Sequence, residues 1–266
     1  MMKSGNWTAI GSVVQGAIHV RQDAPCQDAL YIQVDEHYTI ACVADGHGSA
    51  SCPYSSDGAQ AAVQVAAKLL ASMLEKDLTA AVISAQKEIW LPRQLETHWK
   101  EAVRTIHAEK GRDDADPFPY IQYGTTLLTI AATASFVFAL QIGDGDILMI
   151  DQSGNARLLL PMEEKVGEDT ESLCLTDAWK YIRTQIIPWN SADGAPLFLL
   201  STDGYANGFA NTAGFVKAGV DFLQLWKDEG MDYINKNLPD WLRLSSEKGS
   251  GDDIALALVG FYSLHH

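Results

Sequence analysis

Between residues 125 and 150 the chain runs through three apolar segments, 125–132, 135–142 and 146–150, separated only by short breaks. Breaks of that length leave no room for a crossover helix, so the three read as an antiparallel meander. Further strand-like runs cover 7–14, 38–44, 156–160, 181–187, 196–201 and 254–261. Helical periodicity occupies the stretches between these groups. In residues 56–76, Ala59, Ala62, Val63, Ala66, Leu69, Leu70, Met73 and Leu74 recur on one helical face. Other helical stretches are 79–90, 212–227, 231–246 and 93–110, where Leu95, Trp99, Val103 and Ile106 share a side. Trp99 and Trp226 have apolar neighbours at helical spacing and read as core. Residues 111–119 are polar with two prolines and form a loop, 153–155 is a turn, and 161–178 has no readable pattern. Antiparallel strand groups with helices clustered between them indicate an α+β class. With no repeat or linker-like stretch, residues 1–266 read as a single domain.

The charge narrows the function. Thirty-four acidic against 19 basic residues give a formal net charge of −15. Such a surface repels phosphate backbones, which excludes nucleic acid as a general partner. No apolar run is long enough to span a membrane and the start is not of signal-peptide type, so a cytoplasmic protein is expected. Cys26, Cys42, Cys52 and Cys174 form no Cys-x-x-Cys pair and read as reduced thiols.

Of the acids, 22 are Asp and 12 are Glu, and four of the Asp residues stand beside glycine at strand boundaries. They are Asp45 in Ala44-Asp45-Gly46-His47-Gly48, Asp144 in Gly143-Asp144-Gly145-Asp146, Asp203 in Thr202-Asp203-Gly204 and Asp252 in Gly251-Asp252-Asp253. Asp-Gly is a common turn dipeptide, and any one pair needs no further explanation. Several pairs capping buried strands are different, because alternating strand directions can bring such ends to one rim. Crowded carboxylates repel and raise one another's pKa unless cations neutralise them. All-oxygen ligation favours Mg²⁺ or Mn²⁺, and two such ions about 4 Å apart can activate a water for in-line attack on phosphorus.

At these residues the chain resembles the metal-dependent type 2C serine/threonine protein phosphatases, in their compact bacterial branch. Val43-Ala44-Asp45-Gly46-His47-Gly48, Tyr123-Gly124-Thr125-Thr126 with Gln141-Ile142-Gly143-Asp144, Leu200-Ser201-Thr202-Asp203-Gly204 and Gly249-Ser250-Gly251-Asp252-Asp253-Ile254-Ala255 follow the family's order from about Gly11 to Val259. The resemblance implies a two-layer antiparallel β-sandwich flanked by helices. It implies that Asp45 bridges two Mn²⁺ or Mg²⁺ ions, with the Gly46 carbonyl on the second and Asp203 and Asp252 on the first. His47 falls where the family has a proposed general acid.

Three positions depart from the family pattern. Gln27-Asp28 stands where the family has Glu-Asp, so Gln27 offers the second metal a carbonyl oxygen without charge. Asp23 replaces the phosphate-binding Arg four residues earlier, leaving Arg21, or else His19, to meet the phosphate. Asp144 matches a third-metal ligand, but Asn207 takes the place of its Asp partner, which speaks against a third ion. Asp253 replaces the usual Asn and adds charge beside the site. The expectation is a monomeric enzyme acting on phosphorylated proteins opposite a Ser/Thr kinase. A catalytically weak or inactive phosphatase-like binding module is the alternative, and a two-metal nuclease or phosphodiesterase is disfavoured by the charge.

Overall fold

A computed structural model describes residues 6–75, 83–84, 86–113, 116–161, 171–189, 194 and 196–262. In chain order the elements are β1 (Asn6–Val14), α1 (Ala17–Gln22), β2 (Ala29–Val34), β3 (Tyr38–Ala44), α2 (Ser55–Leu74), α3 (Trp90–Glu109), β4 (Leu127–Thr133), β5 (Phe136–Ile142), β6 (Asp146–Ile150), β7 (Ala156–Leu159), β8 (Arg183–Pro188), β9 (Leu197–Ser201), α4 (Asp203–Ala206), α5 (Thr212–Asp228), α6 (Met231–Lys248) and β10 (Ile254–Tyr262). The strands form two five-stranded sheets, in the orders β1-β10-β9-β6-β7 and β2-β3-β4-β5-β8, and every described pairing is antiparallel.

Alternation along buried strands builds the layers. In β3, Ala41 and Val43 face the other sheet and meet Leu128, Ile130, Phe198, Leu200, Ala255 and Ala257 in the centre of the sandwich. Ile40, Cys42 and Ala44 point the opposite way, into the core under α2 and α3. The other sheet repeats this arrangement, with Leu148, Leu199, Leu256 and Leu258 packed under α5 and α6. The result is the helix–sheet–sheet–helix stack implied by the resemblance. Trp99 is fully buried on α3 and donates its indole N–H to Gly58 O at 3.0 Å, while Trp226 packs partly buried against the α5–α6 core. Among the described residues no helix is long and apolar enough to cross a membrane.

Three expectations change. The run 125–150 is not one meander: β4 and β5 pair in one sheet, but β6 joins the other beside β9. The crossing is made at Gly143, whose φ of +98° suits glycine alone. β2 and the short α1 were not readable as elements. Residues 79–82 and 85 of the helix expected over 79–90 lie outside the described residues, as does half of the unplaced 161–178 stretch, although Ala178–Lys180 forms a 3₁₀ turn.

Candidate active site

The end of β3, the end of β9 and the starts of β2, β6 and β10 all reach one rim of the sandwich. The pairings show it: Ala29 faces Ala44, and Ser201 faces both Leu256 and Asp146. Asp45 follows β3, Asp203 opens α4 just after β9, Asp252 precedes β10 and Asp28 precedes β2. Strands of both sheets therefore deliver carboxylates to a cleft of about 560 Å³, lined among others by Asp45, Gly46, His47, Asp144, Asp203 and Asp252.

The backbone under each acid is strapped down. Asp45 N–H donates to Thr126 Oγ1 at 3.0 Å, and its carbonyl accepts from Thr126 N–H at 2.9 Å and Thr125 Oγ1 at 2.8 Å. Thr202 Oγ1 donates to Asp28 Oδ2 at 2.7 Å. Asn207 Nδ2 donates to Asp203 Oδ2 at 3.0 Å, so this residue steadies the Asp203 carboxylate. Gln27 commits its amide nitrogen to Ser55 Oγ at 3.0 Å, which leaves its Oε1 beside Gly48 on the cleft side.

Electrostatically the acids are in conflict. Burial, then the charges of Asp28 and Asp203, push the Asp45 carboxyl well above the usual range. Asp28 is raised by burial first and by Asp253, Asp252 and Asp203, against the opposing Thr202 hydrogen bond. Asp203 is raised by burial and by Asp144 and Asp252, while its hydrogen bond with Asp45 works the other way. Asp146, behind the rim, is pushed up to about 6 by burial and then by Asp144 and Asp203. Burial lowers the His47 pKa, partly countered by Asp144 and Asp203. Crowded carboxylate oxygens that cannot all ionise together are the kind of donor set that could hold divalent cations. Among the described residues no three of these side chains yet converge on one ion-sized point.

A sequence profile of the protein phosphatase 2C family matches residues 15–243. The chain belongs to this family. Comparison with curated proteins finds no match. Among solved structures, the S. agalactiae serine/threonine phosphatase superposes with a TM-score of 0.60 at 18% identity, over 95% of this chain and 98% of that one. The Mycobacterium tuberculosis serine/threonine phosphatase PstP gives 0.56 at 13%, over 99% and 100%. A PstP catalytic domain in complex with two manganese ions gives 0.55 at 12%, over 97% and 98%. These identities speak for the fold alone.

Within this phosphatase 2C fold, Asp45, Gly46, Gln27, His47, Asp144, Asp203 and Asp252 all line the cleft, and Asp28 stands next to them through Thr202. Arg21 does not. It lies exposed on α1 and lines a separate groove with Val13, Val14, Val20 and Arg243. Residues two apart on a helix point roughly 200° apart, so His19 faces the cleft and Arg21 faces away. Among the described residues, no Lys or Arg lines the cleft.

Three residues do more at this site than sequence reasoning assigned to them. Asp253 is more than added charge: its Oδ1 accepts from Gly16 N–H at 2.6 Å and its Oδ2 from Gln27 N–H at 2.7 Å, with His19 Nδ1 2.9 Å from Oδ1. Thr202 bridges Asp28 to the start of β10, its hydroxyl accepting from Ala255 N–H at 2.9 Å. Asp146 could have been found from the Asp-Gly-Asp string that contains it.

Proposed function

We propose that this protein is a Mn²⁺- or Mg²⁺-dependent phosphoserine/phosphothreonine phosphatase, a cytoplasmic monomer acting on phosphoproteins opposite a Ser/Thr kinase. The observation that carries the reading is the delivery of Asp28, Asp45, Asp203 and Asp252 from both sheets to one rim, where they repel one another. Asp203 and Asp252 would hold one ion, with Asp45 shared between two. The Gly46 carbonyl, Gln27 Oε1 and Asp28 would face the second, with Asp144 at the edge. Bound ions would neutralise the carboxylates and lower the pKa of water for attack on phosphorus.

The chain's own groups supply the rest. Asn207 and Thr202 keep Asp203 and Asp28 oriented. His19, rather than Arg21, meets the phosphoryl oxygens from the cleft wall. His47 stands where the leaving oxygen departs. A ring whose pKa is lowered is a stronger acid once charged and gives its proton readily to that oxygen.

The protein should hydrolyse p-nitrophenyl phosphate and a phosphothreonine peptide with Mn²⁺ or Mg²⁺, be silenced by EDTA, and lose on the order of a hundredfold in Asp203→Asn. Undiminished turnover in that variant would overturn the reading. The cleft's lack of Lys or Arg among the described residues favours a second reading, a phosphoprotein-binding module. Folded wild-type protein that binds the peptide but turns over neither substrate in any metal would establish it.

A further inference from the structure

Cys52 and Cys174 come from opposite halves of the sequence, and both line the cleft beside His47. Both are free thiols. Gly124 brings them together. A Cβ on that residue would lie 3.2 Å from Cys52 Sγ, 3.4 Å from Cys174 Sγ and 2.5 Å from His47 Cδ2. Because position 124 has no side chain, two sulfurs and an imidazole share the space above its backbone. The sulfurs are unbonded, yet both reach the same small volume.

Their surroundings differ. Ser49 Oγ donates to Cys52 Sγ at 3.3 Å, and the Ser51 hydroxyl lies 3.7 Å from the same sulfur. Cys174 instead donates its S–H to Ser172 Oγ at 3.2 Å, and burial raises its pKa. Cys52 is buried and Cys174 half-buried, so Cys174 is the more open of the two to the cleft. The remaining cysteines are less suited: Cys42 is sealed in the core and Cys26 lies outside the cleft, and burial pushes each thiol up to about 12.

We propose that Cys52 and Cys174 form a peroxide-sensitive thiol pair that closes to a disulfide across the catalytic cleft. The sulfur of one cysteine attacks one oxygen of hydrogen peroxide; the O–O bond breaks, leaving a sulfenic acid and one water. The other cysteine's sulfur then attacks the sulfenic sulfur; the S–O bond breaks and the hydroxyl leaves with that thiol's proton as a second water. Two thiols lose two electrons and two protons, and one peroxide becomes two waters. The Cys174 loop is tied to the strap beneath Asp45, since Leu173 N–H donates to Thr125 O and Thr125 N–H donates to Ser172 Oγ. Drawing Cys174 toward Cys52 closes the space in front of His47, and turnover falls. A dithiol reductant reverses it.

The loss of turnover rests on the phosphatase reading above; the cross-link does not. The full chain is treated with hydrogen peroxide, alkylated without reductant, digested and mapped by mass spectrometry. The expected result is a peptide pair joined through Cys52 and Cys174, absent after dithiothreitol and absent in Cys52→Ser and Cys174→Ser. Turnover of p-nitrophenyl phosphate should fall several-fold as the cross-link forms and recover with dithiothreitol, while each serine variant keeps its own untreated rate. If the enzyme shows no turnover at all, the cross-link alone still decides the pairing. Sulfinic acid at either cysteine without the cross-link, or cross-links only to other cysteines or between chains, would overturn the proposal, as would a complete cross-link that leaves turnover unchanged.

Discussion

Asp253 is buried and uses both carboxylate oxygens to receive backbone N–H groups, from Gly16 and Gln27. An amide there turns one acceptor into a donor facing a donor. Asp253→Asn, although it restores the family's usual residue, should cost about 1.5–3 kcal/mol in urea unfolding. Asn207 is exposed, and its side chain touches the Asp203 carboxylate through one hydrogen bond. Removing such an outer partner typically weakens metal binding, so Asn207→Ala should raise the Mn²⁺ needed for half-maximal activity about 10- to 100-fold. Its unfolding midpoint should stay near wild type. These roles were only partly legible from the sequence. The Asp-Gly pairs point to the acids because several of them cap buried strands, which a common turn dipeptide alone does not explain. Nothing in the string reveals that Asp253 serves the backbone or that Thr202 hydroxyl holds Asp28. Arg21 misleads because its side is set by the phase of α1, a six-residue helix too short to show a period.

The start of α2 and the end of α3 are joined by Asp57, which accepts from Lys110 Nζ at 2.6 Å and from Arg112 at 2.7 Å. Arg112 also stacks over the Tyr54 ring at 3.5 Å. Burial opposes the charge on Asp57, but the hydrogen bonds from Lys110 and Arg112 outweigh it, and its pKa falls below the ordinary value. A depressed carboxylate pKa contributes stability above the unfolded value and loses it as pH drops through the folded one. Asp57→Asn should therefore be less stable than wild type at neutral pH, by no more than about 1 kcal/mol given its solvent screening. The gap should close as pH falls below about 4. Trp99, by contrast, is a packing residue, and Trp99→Ala should cost about 3–5 kcal/mol in the same assay. At this scale the sequence served well where a run is apolar throughout, as in β3, or periodic, as in α2. It failed at β2, which is only half buried along most of its length and shows no clean alternation. It also failed at residues 143–145, where a short break normally means a hairpin and here carries the chain between sheets.

Across the whole molecule, like charges gathered at one rim oppose folding until something neutralises them. In metal-free protein, Asp203→Asn should raise stability by about 0.5–2 kcal/mol, since it removes a repelling charge at a functional site. Added Mn²⁺ should then reverse the ranking. At a hundred times its dissociation constant the ion stabilises wild type by about 2.7 kcal/mol, whereas the variant should barely respond in a thermal melt. The sandwich core explains a further behaviour. Its two sheets meet mainly through apolar side chains such as Val43, Ile130, Phe198 and Ala257. Asp45 hangs from one sheet and Asp203 from the other. An ion gripping both acts as a rivet through the seam. With the rivet in place, amides at the rim ends of β3 and β9 should exchange with solvent only when the whole domain opens. Without it, that edge should breathe on its own, and hydrogen exchange should read metal occupancy as rigidity of the seam.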